Sequence, residues 1–365
     1  MQHIKSAIRR AVASLYYAAD PLLSRLRGKV AILMYHRVLP ERELNRHFIQ
    51  PGMYVRSDVF EMQVRFLSEH FRILPFSALL DHWKRRDLDR DQRYCVLTLD
   101  DGWLDNYVYA YPVLKGYNVP ATIFLPTGLI GTNQWFWQDR LACLLKHCCV
   151  SGAGRRKKLA PLLKRHPWIS DFKGERDVGR IDSAIEQCKE LSDTEVYSLI
   201  AKMEKALGEK PPGERVLLNW EEIKEMSKDG ISFGSHSSTH KMLTKLSPGE
   251  LKKEVEDSFS ALQKRGVNHV PVFCYPNGNH DREITKLVNS SGYLAAVSTR
   301  PGFENVLPME IFALRRIGVH NDISPTVPLF AWHISGLNHI SLPYRGLPRR
   351  SACGIAGESA PGALP

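Results

Sequence analysis

The chain has 365 residues, of which 43% are hydrophobic and 24% charged, a balance typical of a soluble globular protein. Its net charge of +11 and pI near 9.3 favour an anionic neighbour, without distinguishing a phospholipid surface from nucleic acid or an anionic glycan. Its seven cysteines form no spaced framework and no Cys-x-x-Cys pair, which argues against a disulfide scaffold or a thiolate zinc site. Cysteine usage and the absence of an apolar run of roughly 18 to 20 residues predict a cytoplasmic protein, with a peripheral position at the inner membrane surface left open.

Residues 1–28 place apolar side chains at roughly helical spacing, with basic residues between them. The apolar run 11–17 is short for a signal peptide, and it leads into further basic sequence at Arg25, Arg27 and Lys29. An amphipathic helix on an anionic membrane and a helix packed on its own domain fit this pattern equally well.

From residue 29 onward the sequence alternates between short apolar strands and amphipathic helices. Strands are predicted at 29–38, 96–99, 121–125, 231–235, 270–275, 294–298 and 314–320, and helices at 60–71, 77–86, 106–117, 220–228, 248–265 and 282–290. This alternation is typical of a parallel sheet with helical crossovers. It defines one α/β domain over residues 29–325.

The alternation stops within residues 132–215, where the sequence is polar and helical without a convincing strand. The start of this insertion, Trp135-Phe136-Trp137, fits two interpretations. Its rings either lie at the rim of a sugar cleft or belong to a helical cap with a buried hydrophobic seam, and the cap is preferred. Residues 326–365 are predicted to form a C-terminal extension that is largely a disordered tail.

Polar side chains recur where the predicted strands end. They are His36, Asp100, Asp101, His236, Tyr275, Asn277 and His320. In barrels and doubly wound sheets, sites are built at the carboxyl ends of parallel strands. These residues are therefore the candidates for a functional site.

The two adjacent carboxylates and two histidines among these candidates predict a metal site. Asp100 and Asp101 follow a strand that should be buried on both faces, where carboxylates are costly unless they are paired or bound. Gly102 permits a turn directly after them. His236 and His240 are four residues apart, which in a helical turn would put both imidazoles on one face. Two histidines and one carboxylate describe a three-ligand site for a divalent cation.

Three stretches carry a family resemblance: residues 98–102 (TLDDG), 236–240 (HSSTH) and 273–278 (FCYPNG). In this order they resemble the motifs of the polysaccharide deacetylases, the NodB-homology family also called carbohydrate esterase family 4. Residues 35–38 (YHRV) look like the opening of one branch of that family. The resemblance spans roughly residues 30–130 and 216–322, and it implies an irregular (β/α) barrel with about seven strands.

The resemblance also implies roles for individual residues. Asp100 would be the general base, and Asp101, His236 and His240 would be the ligands of a divalent metal, with Zn²⁺ expected and Co²⁺, Ni²⁺ or Mn²⁺ as alternatives. The remaining candidates are the backbone N–H of Asn277 for the oxyanion, His320 as the acid that protonates the amine, and His36, Tyr275 and Trp137 as residues that contact the substrate or support the ligands. A surface histidine without a catalytic role is the alternative for His320.

One position departs from the family pattern. The third motif often carries an arginine that orients the base, and the matching residue here is Cys274. Arg37, Arg315 or Arg316 could supply that charge from another part of the chain.

These observations predict a metal-dependent hydrolase of carbon–nitrogen bonds other than peptide bonds. It would remove N-acetyl groups from acetamido sugars of a polysaccharide or of a lipid-linked glycan precursor. An O-deacetylase or an amidase on the same scaffold is the first alternative. A basic protein that binds a membrane or nucleic acid without catalysis is the second, although no nucleic-acid motif is recognised and no nucleic-acid partner is expected.

Overall fold

A computed structural model describes residues 24–44, 49–50, 52–150, 180–210 and 213–337, together with residues 10–15, 17, 158–159, 162 and 166. The strands are β1 (Lys29–Tyr35), β2 (Arg37–Leu39), β3 (Tyr54–Arg56), β4 (Arg72–Ile73), β5 (Arg93–Leu99), β6 (Ala121–Leu125), β7 (Ser232–Ser235), β8 (His269–Cys274), β9 (Ala295–Pro301), β10 (Glu304–Asn305) and β11 (Leu314–Gly318). The helices are α1 (Ser57–His70), α2 (Phe76–Arg85), α3 (Tyr111–Gly116), α4 (Trp137–Val150), α5 (Ile181–Cys188), α6 (Asp193–Leu207), α7 (Trp220–Lys228), α8 (Pro248–Lys264), α9 (Arg282–Ser290) and α10 (Val327–Ile334).

Seven parallel strands close into a barrel. Their order is β1-β11-β9-β8-β7-β6-β5, and β5 pairs with β1 over its full length to complete the circle. Strand β10 adds antiparallel to β1, and β4 adds parallel to β5. The predicted (β/α) barrel with about seven strands is therefore confirmed.

Alternation along the strands divides the apolar side chains between the two faces of the barrel wall. Val30 and Ile32 of β1 join Val96 of β5 and Phe124 of β6 in one cluster, to which every barrel strand except β7 contributes. This cluster fills the barrel interior, and α2 adds to it. The intervening residues of the same strands pack outward against helices in a second cluster. Consequently, the residues that follow Val96 at intervals of two, Thr98 and Asp100, lie on the inward side.

The predicted helices agree with the structure, with one local difference. Residues 106–117 form a π-helical segment, Asn106–Ala110, that continues into α3. The wider turn places Asn106 so that its side-chain amide donates to the carbonyl of His36, 2.8 Å away. This bond ties the end of β1 to the segment that follows β5.

The insertion contains α4, α5 and α6, which pack around a hydrophobic cluster of their own. Leu141 and Leu145 of α4 contact Ile185 of α5 and Ile200 of α6 in this cluster. Most of residues 151–179, between α4 and α5, lie outside the described residues. The structure therefore gives the insertion a buried seam, as expected of a helical cap.

The two ends of the chain pack on the barrel where they are described. At the N-terminus, Ala13 is buried and the ring of Tyr17 lies 6.1 Å from that of Phe66 in α1, while Leu15 is exposed. At the C-terminus, α10 buries Phe330 against Phe66. Residues 327–337 therefore belong to the core and not to a disordered extension, because their apolar side chains complete the packing of α1. Residues 338–365 and most of 1–23 lie outside the described residues.

Within the described part of the chain, no helix combines the length and the apolar character needed to cross a membrane.

Candidate active site

Asp100 lies at the carboxyl end of β5 and is held by a buried arginine. Its two carboxylate oxygens accept hydrogen bonds of 2.7 Å each from the two terminal nitrogens of Arg316. Its backbone N–H donates to the carbonyl of Tyr35 on the neighbouring strand at 2.9 Å. Both side chains are almost fully buried. A two-pronged contact of this kind fixes the plane of the carboxylate as well as its position.

Arg316 reaches Asp100 from β11, and its other contacts fix it in turn. Its Nε donates to the carbonyl of Ser298 at 2.9 Å, and Nη1 donates to the Thr98 hydroxyl at 3.1 Å. Its Nη2 also lies 3.2 Å from the sulfur of Cys274. Arg316 thus supplies the charge that the Cys274 position lacks, while Arg315 points outward and Arg37 pairs elsewhere.

Asp101 turns away from Asp100 because the strand ends between them. Its φ of 75° is left-handed, and Gly102 follows with a φ of 63°. A side chain at position 102 would come within 2.8 Å of the Leu125 side chain, so the turn also depends on a glycine there. The turn brings one oxygen of Asp101 to 3.3 Å from the Nε2 atoms of both His236 and His240.

The orientation of His236 is fixed by its other ring nitrogen. Its Nδ1 lies 2.8 Å from the carbonyl oxygen of Cys274 at the end of β8. Nδ1 is therefore placed to donate to this carbonyl, which directs Nε2 at Asp101. The ring of His240 lies 4.7 Å from that of His236 and 4.9 Å from that of Phe136.

The two histidines are brought together by a loop, and the helical turn expected from their spacing is absent. Ser237 and His240 both have left-handed backbone angles, with φ of 61° and 60°. The buried carboxylate of Glu254 on α8 accepts hydrogen bonds from the backbone N–H groups of Ser238 at 2.9 Å and Thr239 at 2.7 Å. These bonds hold the loop in a shape that local propensity alone would not favour.

A second chain of contacts holds Asp101 from its other side. The indole Nε1 of Trp103 donates to the second oxygen of Asp101 at 3.0 Å. The guanidinium of Arg37 lies over the Trp103 ring, 4.3 Å from its centroid. Arg37 is fixed by the buried Asp105 carboxylate, at 2.8 Å. The sequence motifs did not indicate Trp103, Asp105 or Glu254, because the role of each depends on a contact that only the three-dimensional structure shows.

The charges of the site favour ionised carboxylates. Burial alone would raise the pKa of Asp100, but its ion pair and hydrogen bonds with Arg316 outweigh burial, so the pKa lies below its usual value. Burial also acts against ionisation of Asp101, yet its hydrogen bond with His236 and the charge of His240 hold its pKa well below the usual range. Burial and the proximity of His236 lower the pKa of His240 to about 4, so His240 is neutral at neutral pH, the form that binds cations.

Asp101, His236 and His240 fit a divalent cation. One donor atom from each lies within 4.8 Å of the others, and two imidazoles with one carboxylate form a donor set typical of zinc and similar ions. Asp100, His236 and Cys274 lie equally close together. That second set fits less well for two reasons. Both carboxylate oxygens of Asp100 accept hydrogen bonds from Arg316. Burial also raises the pKa of the Cys274 thiol and keeps it protonated.

The two other candidate histidines differ in their relation to this cluster. His36 follows β1, and its Nε2 lies 3.9 Å from an oxygen of Asp100. His320 follows β11, and its Nδ1 lies 3.7 Å from the carboxylate of Asp322. Among the residues that the structure describes, no hydrogen bond or ion pair joins His320 to the cluster. Of these two histidines, only His36 has a contact with Asp100.

Tyr275 does not face the site. Its side chain is fully buried, its ring stacks on that of His280 at 4.5 Å, and its hydroxyl donates to the carbonyl of Phe312 at 3.0 Å. Its place is in the core beneath the third motif, because the strand alternation turns this residue outward from the barrel axis. It is therefore a support for the Pro276–Gly278 turn, and substrate contact through its side chain is excluded.

Asn277 and Trp137 lie on the wall of a cavity of about 270 Å³ beside His240. Asn277 has a left-handed φ of 55°, and Gly278 follows with a φ of 74°. Trp137 begins α4 and faces the same cavity from the insertion. Its neighbours Trp135 and Phe136 are mostly buried, with exposed fractions of 8% and 7%. The insertion start thus contributes both a buried seam and one wall of a cleft.

Two bacterial proteins are similar in sequence to this chain. A Bacillus subtilis (strain 168) protein named putative polysaccharide deacetylase YxkH is 24% identical over 299 residues, which cover 81% of this chain and 74% of that protein. A Staphylococcus aureus (strain N315) protein named poly-beta-1,6-N-acetyl-D-glucosamine N-deacetylase is 29% identical over 120 residues, which cover 30% of this chain and 40% of that protein.

Solved structures share the fold. The Streptococcus pyogenes deacetylase PplD, in complex with acetate, superposes with a TM-score of 0.52 at 20% identity, covering 81% of this chain and 95% of that one. IcaB from Ammonifex degensii gives a TM-score of 0.52 at 19% identity, covering 83% and 97%. At these identities the likeness supports the barrel architecture.

The family model for polysaccharide deacetylases matches residues 87–168 and 178–296, more than half of the chain. That match includes Asp100, Asp101, His236 and His240, the residues that the structure brings together. The chain therefore belongs to the polysaccharide deacetylase family.

Proposed function

We propose that this protein is a metal-dependent N-deacetylase that acts on acetamido sugars of a polysaccharide or of a glycan precursor. One observation carries the proposal: the adjacent residues Asp100 and Asp101 have different partners. Asp101 faces two imidazoles, whereas Asp100 is withheld from that donor set by its two hydrogen bonds with Arg316. A site with three donors and one separate, ionised carboxylate suits hydrolysis of an acyl group.

Asp101, His236 and His240 would hold the divalent ion, which we expect to be Zn²⁺, with Co²⁺, Ni²⁺ or Mn²⁺ as alternatives. When bound, such an ion lowers the pKa of water and polarises a carbonyl group. Asp100 accepts the proton of the attacking water, and Arg316 keeps its carboxylate ionised and oriented until then. The backbone N–H of Asn277 is the candidate donor to the oxyanion.

Two histidines are candidates for the acid that protonates the leaving amine. His320 is the candidate from the family pattern, and His36 has the contact with Asp100. His36→Asn and His320→Asn should be compared on an N-acetyl amide and on 4-nitrophenyl acetate, whose leaving group needs no proton. The true acid is the residue whose loss lowers amide hydrolysis by a factor of about 10² or more while ester hydrolysis persists.

The preference for N-acetyl groups rests on the Staphylococcus aureus relative, whose name gives poly-beta-1,6-N-acetyl-D-glucosamine as its substrate. An O-deacetylase would instead hydrolyse acetylated sugar esters faster than amides, and parallel assays on both classes separate the two activities. The cytoplasmic location, contact with an anionic membrane and lipid-linked substrates stay predictions from composition.

The central test combines an activity assay with metal analysis. The wild-type protein should release acetate from N-acetylglucosamine oligomers, lose this activity with a chelator and regain it with Zn²⁺. Asp100→Asn should abolish acetate release while the protein retains its metal. His236→Ala should lose both. Full activity of Asp100→Asn would refute the assigned base.

A further inference from the structure

The two histidines of the site differ in how their rings are held. Nδ1 of His236 lies 2.8 Å from the carbonyl oxygen of Cys274, whereas within the described residues no hydrogen bond joins Nδ1 of His240 to a partner. The backbone N–H of His240 donates to the Ser237 hydroxyl at 3.0 Å, which fixes the loop but not the side-chain torsions. A histidine that binds a metal usually donates through its second ring nitrogen, and that bond sets the direction of the first. The orientation of the His240 ring therefore needs another source.

Phe136, at the start of the insertion, meets the His240 ring edge to face. The ring centroids are 4.9 Å apart and the ring planes are inclined by 61°. Only 7% of Phe136 and 12% of the His240 side chain are exposed. The attraction between two such rings depends on the angle between them as well as on their distance. The contact therefore favours one orientation of the imidazole.

Phe136 also contacts the residue that holds a second candidate ligand. Its ring lies 5.2 Å from that of Trp103, with the planes inclined by 65°. The indole of Trp103 in turn donates to Asp101 at 3.0 Å. The two aromatic rings belong to one small apolar cluster, separate from the core of the insertion. One side chain of the insertion thus touches His240 directly and Asp101 through Trp103.

The position of Phe136 depends on helix α4. Its backbone carbonyl accepts a hydrogen bond from the N–H of Arg140 at 3.1 Å, so the helical hydrogen bonding begins at this residue. Leu141 and Leu145 of α4 are fully buried in the core of the insertion. A shift of α4 relative to the barrel would therefore move the Phe136 ring relative to the metal site.

We propose that Phe136 is a positioning residue of the metal site, and that through it the packing of the insertion on the barrel sets the affinity for the divalent ion. It acts through the rings of His240 and Trp103, and not by binding the ion itself. Because linkage between two equilibria is reciprocal, the bound ion also stabilises the packing of α4. The inference rests on the proposed function for the assignment of the ligands, but not for the reaction.

The first test measures zinc affinity by calorimetric titration of the metal-free protein. Phe136→Leu keeps an apolar side chain but removes the ring, and it should weaken Zn²⁺ binding by about tenfold, as expected for loss of a group that orients a ligand. Phe259→Leu is the matched control, because Phe259 makes an edge-to-face contact with His269, 5.5 Å away at the start of β8. The control should bind Zn²⁺ like the wild type. Unchanged Zn²⁺ affinity in Phe136→Leu would overturn the proposal.

A second measurement separates orientation of the ligands from simple packing. The visible spectrum of the Co²⁺-loaded protein reports the geometry of the ligands around the ion, which a loss of stability alone does not alter. The spectrum of Phe136→Leu should differ from that of the wild type, whereas Phe259→Leu should keep the wild-type spectrum. If Phe136→Leu lowers the free energy of unfolding but leaves the spectrum and the Zn²⁺ affinity unchanged, Phe136 has a packing role only and the proposal fails.

Hydrogen exchange tests the reciprocal effect on the insertion. Zn²⁺ should slow exchange of the backbone amides of residues 140–145 in the wild type, and this protection should be lost in Phe136→Leu. Equal protection in both proteins would show that the linkage does not depend on Phe136.

The same measurements distinguish this proposal from the proposed function. If Zn²⁺ affinity and exchange change as expected but the wild type releases no acetate, the role of Phe136 stands and the proposed function fails. If acetate release requires Zn²⁺ and Phe136→Leu binds the ion normally, the proposed function stands and the role of Phe136 is refuted.

Discussion

The guanidinium of Arg316 and the carboxylate of Asp100 form two hydrogen bonds of 2.7 Å, and the exposed fractions of the two side chains are 0% and 2%. Asp100 follows β5 and Arg316 lies in β11, and these strands are not adjacent in the barrel, since β1 lies between them. The contact is possible because both side chains point into the barrel, where they meet near the carboxyl ends of the strands. The same inward register places Cys274 beside them.

Replacement of this arginine should separate catalysis from metal binding. Arg316→Lys keeps a positive charge but cannot form two parallel hydrogen bonds, so Asp100 would lose its fixed orientation. We expect kcat to fall by about 10²-fold, the size of effect that follows a small displacement of a reacting group. Zinc content should be unchanged. The exposed neighbour Arg315→Lys is the control, and equal kcat values in all three proteins would contradict the role of the ion pair.

The regular alternation of strand and helix periods predicted a parallel sheet with helical crossovers, and the family resemblance implied that this sheet closes into a barrel. The sequence also predicted the two carboxylates and two histidines as one cluster. It could not choose among Arg37, Arg315 and Arg316, since that choice depends on which residue of β11 points inward. Leu314 packs in the barrel interior. Because side chains alternate along a strand, Arg316, two residues later, also points inward.

The shape of the loop between the histidines could not be predicted from the sequence for a related reason. A spacing of four residues is equally compatible with a helical turn and with a loop containing left-handed residues. Glu254 decides between them, but it comes from α8, and a contact across that distance leaves no local pattern. The same holds for Trp103 and Arg37, whose ring contact depends on the packing of β2 beside the Asp101 turn.

The hydrogen bond from Trp103 to Asp101 is expected to strengthen metal binding. Trp103→Phe removes the hydrogen bond to Asp101 and retains a ring against Arg37 and Phe136. Loss of such a supporting bond typically weakens metal binding by about 10-fold or more. Calorimetric titration with Zn²⁺ measures this directly. Trp135→Phe provides a matched control, because its indole donates to the Glu214 carbonyl and not to a metal ligand. An unchanged affinity in Trp103→Phe would show that Asp101 is held without the indole.

Glu254 should be needed for the shape of the loop that carries both histidines. Glu254→Gln retains the size of the side chain but replaces a charged acceptor of three hydrogen bonds by an amide. We expect a loss of about 1–3 kcal/mol in the free energy of unfolding, together with weaker Zn²⁺ binding. Denaturant titration and calorimetry measure the two effects. Glu256→Gln, on the same helix and 44% exposed, should leave both unchanged. A destabilised protein with normal zinc affinity would limit Glu254 to a structural role.

Asp182, on α5 of the insertion, should make stability depend on pH. Burial raises its pKa to about 6, and the charges of Glu186 and Asp322 act in the same direction, while a hydrogen bond with Gln50 and the charge of Lys189 oppose them. The unfolded chain ionises at the lower, ordinary pKa near 4. Folding therefore becomes less favourable as pH rises between these two values, and the full cost is present above the folded pKa.

The variant Asp182→Asn removes that ionisation while keeping the size of the side chain. It should raise the melting temperature at pH 8 and have a much smaller effect at pH 4, where the aspartic acid is protonated in the folded state and about half ionised in the unfolded chain. Thermal unfolding at a series of pH values measures the difference. In an Asp322→Asn background the gain at pH 8 should shrink, because one of the charges that raises the pKa of Asp182 is gone. A gain that is as large at pH 4 as at pH 8 would assign the effect to packing and not to charge.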